Sequence, residues 1–334
     1  MLIAVLFAPG AGNARCFREL GALLSRRLAG HETLACPGPF GADFLPAAAS
    51  CGFVEGDSYV ASVRAATASL AARRPDLFVC VGGDGLASYA ADALAGTGAA
   101  ETPLLGVAAG TANVGPIVSI GPADLERLDV AALRRERVGA IDVALGGKHV
   151  AYGFNDVVIG TTFLGTVDQS AVSLSARAMA ERGERVAEAP DPDIAGDDFA
   201  VEKNGIAAPR GLPRPAQIVA APLGEREFYG RAIAGALCES AHSPNRAAVA
   251  LLDSILVKPS SVDRGIGDFA RVDHLLFGPG DRVVVRGLSA KAQVIVDGNP
   301  FLRGGRDVEF AYRPGLVIVA RPDGSARMGA RECT

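Results

Sequence analysis

Tryptophan is absent from this chain of 334 residues, and lysine nearly so: only Lys148, Lys203, Lys258 and Lys291 among 33 lysines and arginines. None of the four precedes residue 148, so neither a Walker A loop nor a protein-kinase lysine can serve the N-terminal half. No apolar run approaches the roughly 18 residues that a transmembrane helix needs. No segment is basic enough for a nucleic-acid footprint, and the formal net charge is -4. The six cysteines (Cys16, Cys36, Cys51, Cys80, Cys238, Cys333) form no C-x-x-C pair and have no histidine at ligand spacing. That pattern excludes a structural zinc site and reads as reduced thiols filling apolar gaps. His31, His149, His242 and His274 are isolated from one another and read as surface or core residues. The opening Met1–Phe7 lacks the basic residues that begin a signal peptide and runs straight into Pro9-Gly10-Ala11-Gly12, so it reads as a strand and the chain as cytoplasmic.

Against these absences stands ample core material, with 49% hydrophobic residues, 41 glycines and 20 prolines. The length suggests about two domains. In the first, residues 1–140, buried strands alternate with helices: Leu2–Phe7, Leu77–Val81 and Leu104–Ala108 are continuous apolar runs, as parallel strands covered on both faces require. Helical spacing runs from Asn13 to Leu28, from Tyr59 to Arg74, from the Gly85 turn to Leu94, and from Ala123 to Arg137. This alternation predicts a Rossmann-like parallel α/β domain. In residues 141–320 the texture is mainly antiparallel β, sandwich-like, with strands at 141–145, 150–159, 216–221, 248–257, 282–285, 292–296, 308–312 and 316–320. Residues 183–215 read as a long loop or flap, and residues 321–334 as a tail.

Three glycine turns follow the strands of the first half. Val81-Gly82-Gly83-Asp84-Gly85-Leu86 is the strongest: Gly82, Gly83 and Gly85 let backbone approach a ligand, and the helix start beyond offers free N–H groups to a phosphate. Asp84 there suits either holding Mg²⁺ or taking a proton from an attacking hydroxyl; the plainer use is a helix cap. Gly110, Thr111 and Asn113 form a second such turn, and Gly10, Gly12 and Asn13 a third. All three fall at one edge of a parallel sheet, which points to a shared nucleotide cleft. Gly10-Ala11-Gly12 is not continued into G-x-G-x-x-G, which disfavours ordinary dehydrogenase chemistry.

The Gly82-Gly83-Asp84-Gly85 and Gly110-Thr111-Ala112-Asn113 turns resemble those of the superfamily of NAD kinases and diacylglycerol- or sphingosine-type lipid kinases. Tyr152–Ile159 resembles the NAD kinase strand with its Asn-Glu/Asp pair, Ile218–Gly224 its Thr-Pro-Thr-Gly-Ser segment, and Val296-Asp297-Gly298 its late hairpin, though Asp-Gly between strands is also a favoured turn in its own right. The segments at 155–165 and 190–196 are similar to the NAD kinase-like protein of acetoin-catabolism operons. The resemblance implies an NAD kinase-like α/β fold and an ATP- and Mg²⁺-dependent phosphotransferase acting on NAD(H), with NAD or NADP as acceptor or ligand. It implies that Asp84 is the base on the acceptor ribose, that Asn155 and Asp156 bind the acceptor, and that Gly110–Asn113 bind the donor phosphates. The expected partners are a small-molecule nucleotide and a second or further copy of the chain, a homodimer or homotetramer, with neither nucleic acid nor membrane. Leu86 stands where the family has Thr or Asn, and Leu223, Glu225 and Arg226 replace family hydroxyls. A catalytically silent nucleotide-binding accessory protein is therefore the alternative, and a lipid kinase the second.

Overall fold

The computed structural model describes residues 1–9, 14–109, 115–167, 170–208, 214–224, 245–253, 255 and 272–322. The chain forms two compact units: residues 1–138 with 315–334, and residues 139–314.

The first unit contains β1 (Leu2–Phe7), α1 (Ala14–Arg27), β2 (Glu32–Ala35), β3 (Ala49–Ser50), α2 (Tyr59–Ala71), β4 (Leu77–Gly82), α3 (Asp84–Gly96), β5 (Leu104–Ala108), β6 (Val118–Ile120) and α4 (Pro122–Leu125). Its parallel sheet runs β3-β2-β1-β4-β5, with β6 beside β5. Every residue of β4 and β5 is buried, as their unbroken apolar runs predict. On α1, Phe17, Leu20 and Leu24 are buried while Arg18, Glu19, Arg26 and Arg27 face out. The Phe17 ring meets Phe7 of β1 edge-on at 5.7 Å. Ser58 caps α2 by accepting the Ala61 N–H at 3.2 Å.

The helix expected over Ala123–Arg137 does not form beyond its first turn. The Asp129 carboxylate takes the Ala131 N–H at 2.9 Å, an arrangement that competes with a continuing helix. From Arg134 the backbone is extended, and Arg137 reaches both Glu101 oxygens at 2.8 and 2.7 Å.

In chain order there follow β7 (Arg134–Leu145), β8 (Lys148–Gly153), β9 (Val157–Gly160), β10 (Thr162–Val167), β11 (Ser170–Ser175), α5 (Ala176–Arg182), β12 (Ala195–Lys203), β13 (Ile206–Ala207), β14 (Gln217–Pro222), β15 (Ala247–Leu252), β16 (Val272–Phe277), β17 (Arg282–Leu288), β18 (Gln293–Val296), β19 (Asn299–Phe301) and β20 (Val308–Arg321). In the second unit, β13-β12-β17-β20 pair in that order, and β7 pairs with β20 and β8. A six-stranded antiparallel sheet runs β16-β15-β14-β9-β18-β19, and β10 and β11 form a hairpin. Ile141, Val283 and Phe310 share one buried core with Val157, Ile218 and Val249.

Three expectations change here. The single strand expected over 150–159 is broken into β8 and β9 by a turn at 154–156. The two strands expected at 308–312 and 316–320 are one, β20. Within the loop expected over 183–215, residues 195–203 form a strand, because they pair antiparallel with β17. Only Ala195 and Val201 of that strand are fully buried, so a hydrophobic pattern could not announce it.

Cys36, Cys51 and Cys80 are free and buried. Burial pushes the Cys36 thiol up to about 12 and the Cys80 thiol further, so both are neutral core residues.

Candidate functional site

In the first unit, the strand order reverses direction between β1 and β4, which lie side by side with Phe7 opposite Val81. A crevice at the C-terminal ends of two such strands is where open α/β sheets bind ligands. Ala8 leaves β1 with its N–H on the Val81 carbonyl at 3.0 Å, and Gly82 closes β4. A side chain at Gly82 would press on Leu86 and Ala8, at 2.9 and 3.0 Å, so glycine is needed for the two strand ends to come this close. Leu86, the departure from the family pattern, is a core residue under this turn at 3% exposure.

Gly83 is the N-cap of α3 and Asp84 its first residue. The cap expected of Asp84 therefore belongs to Gly83. The Asp84 carboxylate instead sits at the positive end of the helix, where a negative charge is stabilised, and accepts the Gly115 N–H at 2.9 Å. This latch fixes the far end of the second glycine turn, whose near end is held by Ala109 N–H on the Gly82 carbonyl at 2.9 Å. A Cβ at Gly115 would lie 3.0 Å from Asp84 Oδ1, so a side chain there would make the carboxylate or the loop give by a few tenths of an ångström. The structure thus brings Gly82, Gly83, Asp84 and Gly85 together with Gly115. Gly10, Gly12, Asn13, Gly110, Thr111 and Asn113 lie outside the described residues.

Beside Pro9, a cavity of about 520 Å³ opens between Phe40, Tyr59 and the carboxyl-bearing Glu55 and Asp57. Its Tyr59 ring packs against Tyr89 of α3 at 6.3 Å. A larger cavity, about 760 Å³, is lined by Pro75, Asp76, Thr102 and Pro103. Those residues precede β4 and β5, so this cavity lies at the opposite edge of the sheet from the glycine turns. The smaller cavity, beside Pro9 just after β1, lies at the same edge of the sheet as the glycine turns.

In the second unit, the turn between β8 and β9 is built around a carboxylate far away in sequence. Asp297 accepts three backbone N–H groups: Phe154 on Oδ2 at 2.9 Å, and Asn155 and Asp156 on Oδ1 at 2.9 and 3.0 Å. In return the Asp297 N–H binds the Asp156 carbonyl at 3.0 Å. Asp297 and Gly298 have φ of 47° and 76°, as a tight hairpin between β18 and β19 requires. Asp297 is 7% exposed. With the backbone so fixed, Asn155 Nδ2 donates to Asp156 Oδ2 at 3.2 Å. Asn155 is itself 7% exposed, and its Oδ1 meets no hydrogen-bond donor among the described residues. A buried acceptor so placed fits a ligand hydroxyl or amide N–H.

The sequence reading missed Gly115 and the clamping role of Asp297. The first carried a weak signal, a glycine directly before Pro116; the second carried the Asp-Gly pair, which by itself says only hairpin. Among the described residues no group of three or more His, Cys, Asp or Glu side chains is arranged to hold a metal ion, and no helix is long and apolar enough to cross a membrane.

No protein-family model matches the chain. It is 32% identical over 260 residues to an uncharacterised protein of Archaeoglobus fulgidus, covering 74% of each chain. It also shares the fold of a solved structure, yeast NADH kinase complexed with NADH: TM-score 0.54, 12% identity, 96% of this chain and 82% of that one.

Proposed function

From a chain that belongs to the family of the Archaeoglobus fulgidus protein and carries the fold of yeast NADH kinase, we propose an ATP- and Mg²⁺-dependent phosphotransferase that phosphorylates a hydroxyl of NAD(H) or a related small molecule. The observation that carries this reading is Asp84, a carboxylate at the start of α3 just past the C-terminal end of β4, where it accepts the Gly115 N–H. A carboxylate there can accept the proton from an attacking hydroxyl while backbone N–H groups of the same turn face a phosphate.

Phosphate and carboxylate repel unless a cation lies between them. Mg²⁺ is commonly held by one or two carboxylates together with substrate phosphates; Asp84 is the residue of this turn that would hold it beside a bound nucleotide, as the alternative to its use as the base. When bound, the ion would supply charge neutralisation at the transferring phosphoryl group. Gly82, Gly83 and Gly85, with Gly110, Thr111 and Asn113 and with Gly10, Gly12 and Asn13, hold the donor through backbone and short polar side chains. Asn155 and Asp156 bind the acceptor, with Asn155 Oδ1 receiving one of its N–H or O–H groups.

The test is phosphoryl transfer followed by mass spectrometry, with ATP and Mg²⁺ as donor and NAD, NADH or diacylglycerol vesicles as acceptor. Phosphorylated NAD(H) is the expected product. Nucleotide binding without transfer to any acceptor would instead establish the silent accessory protein, for which buried Leu86 in place of a family hydroxyl or amide argues. Absence of any melting shift with millimolar ATP, NAD or NADP would remove both readings. A binder at a hundredfold excess over its dissociation constant stabilises the fold by about 2.7 kcal/mol.

A further inference from the structure

The residue that follows the Asp84 latch is itself pinned, from the far end of the chain. The Pro116 carbonyl accepts a hydrogen bond from Arg321 Nη2 at 2.9 Å, a contact between residues 205 apart in sequence. Arg321 is the last residue of β20 and is 5% exposed. Its Nε lies 2.5 Å from Glu136 Oε2, on a side chain 48% exposed. The same stretch is tied twice more: Ser119 Oγ donates to the Ala320 carbonyl at 3.3 Å, and Val319 pairs in parallel register with Leu104.

Burying a guanidinium is costly, and an unbranched apolar side chain would fill the same space without that cost. What arginine adds is direction, a rigid planar fork of donors aimed at a chosen acceptor. Pro116 needs such help, because proline has no N–H of its own to tie it down. The Gly115–Pro116 pair is therefore held at two points: the Gly115 N–H on Asp84 Oδ2 at 2.9 Å and the Pro116 carbonyl on Arg321. Release of the second lets the peptide swing, and the first bond goes with it.

We infer that Arg321 is a positioning residue for Asp84, orienting its carboxylate through Pro116 and Gly115, with Glu136 holding the guanidinium in turn. The inference rests on the reading of Asp84 as the proton acceptor in phosphoryl transfer. It adds that β20 takes part in setting the base, a role that no glycine motif signals.

The experiment uses the full chain with Arg321→Met, which keeps length and removes the charged fork, and Arg321→Lys, which keeps charge and one donor. Two quantities are read: kcat and KM for transfer from ATP to NADH, and hydrogen exchange of the Gly115 amide in the ligand-free protein. Arg321→Met should lower kcat about tenfold with both KM values within about twofold, a loss of the size that small misplacements cause. Its Gly115 amide should exchange at least about tenfold faster, as expected of a freed N–H, and Arg321→Lys should recover part of both. Unchanged exchange at Gly115 overturns the inference, whatever the activity. So does faster exchange spread evenly over the first unit, or raised KM values at unchanged kcat, since either marks an ordinary structural arginine. If Arg321→Met fails to fold, Arg321→Lys decides alone, by the same two readings at intermediate size. If the wild type transfers phosphate to no acceptor, the kinase reading fails, and the exchange measurement still decides whether Arg321 holds the latch.

Discussion

The turns after β4 and after β8 use the same bond in opposite senses. At the first, the carboxylate of interest, Asp84, is the group being held, by the N–H of Gly115, 31 residues on. At the second, the carboxylate does the holding: Asp297 gathers three N–H groups from 141 to 143 residues away and leaves Asn155 and Asp156 to present their side chains. A carboxylate at the positive end of a helix is favoured in its charged form and can meet a cation. One saturated by three donors and nearly sealed from water is a fixture. On the proposed reading the contrast is that of a reacting group and a scaffold, and each of the following measurements strains it at a different point.

The largest effect should come from Asp84→Asn. Asparagine keeps the size and can still accept the Gly115 N–H, while proton acceptance and charge are gone. A general base is typically worth about 10² to 10⁴-fold, so kcat should fall by that factor with nucleotide binding and melting temperature nearly unchanged. Turnover within about threefold of wild type would make Asp84 a fixture like Asp297.

Asp297→Ala should do the reverse, costing stability first. Three N–H groups, two of them buried, lose a charged acceptor, and a residue at φ 47° loses one of the side chains that best tolerate that backbone. A loss of about 3–5 kcal/mol is expected in urea titration, with NADH affinity falling because Asn155 is no longer held. A variant with wild-type stability would show that the β8–β9 turn keeps its shape without the clamp.

These two sites also mark how far the sequence could be read. The Gly82-Gly83-Asp84-Gly85 turn is local: a continuous apolar strand, glycines and a helix start lie within a dozen residues, so its chemistry is written in order. The groups that complete each site are not local. Nothing near Gly115, Asp297 or Arg321 says what they will meet, because those partners are fixed by sheet pairing across 31 to 205 residues. Strand errors share this cause. Arg134–Val138 and Ala195–Lys203 are strands by pairing rather than by hydrophobic period, and charged residues take much of their surface.

Gly115→Ala strains the Asp84 side of the comparison without touching the carboxylate itself. The new methyl would lie 3.0 to 3.4 Å from the carboxyl atoms of Asp84, so either the side chain or the loop must give by a few tenths of an ångström. We expect kcat to fall about three- to tenfold, with a stability cost under roughly 1 kcal/mol. An unchanged kcat in stopped-flow or steady-state assays would place the orientation of Asp84 outside the control of this bond.

The smallest effect belongs to a third carboxylate that holds a turn, Asp281 between β16 and β17, which differs from Asp297 chiefly in its access to water. It accepts the Gly278 N–H at 2.9 Å and Asn204 Nδ2 at 2.8 Å, and pairs with Lys203 Nζ at 2.9 Å, with its side chain 26% exposed. The Lys203 bond first, then Asn204 and Gly278, lower its pKa to about 2. A carboxyl whose folded pKa lies below its unfolded value, near 3.9, contributes stability that is complete above about pH 4 and is lost as pH falls toward 2. Solvent screening at a partly exposed site keeps that contribution to at most about 1 kcal/mol. Asp281→Asn should therefore be slightly less stable than wild type at pH 7, and the gap should close between pH 4 and pH 2. A gap of several kcal/mol at pH 7, or one that does not close in acid, would mean that Asp281 is a fixture of the Asp297 kind and that water access is not what distinguishes them.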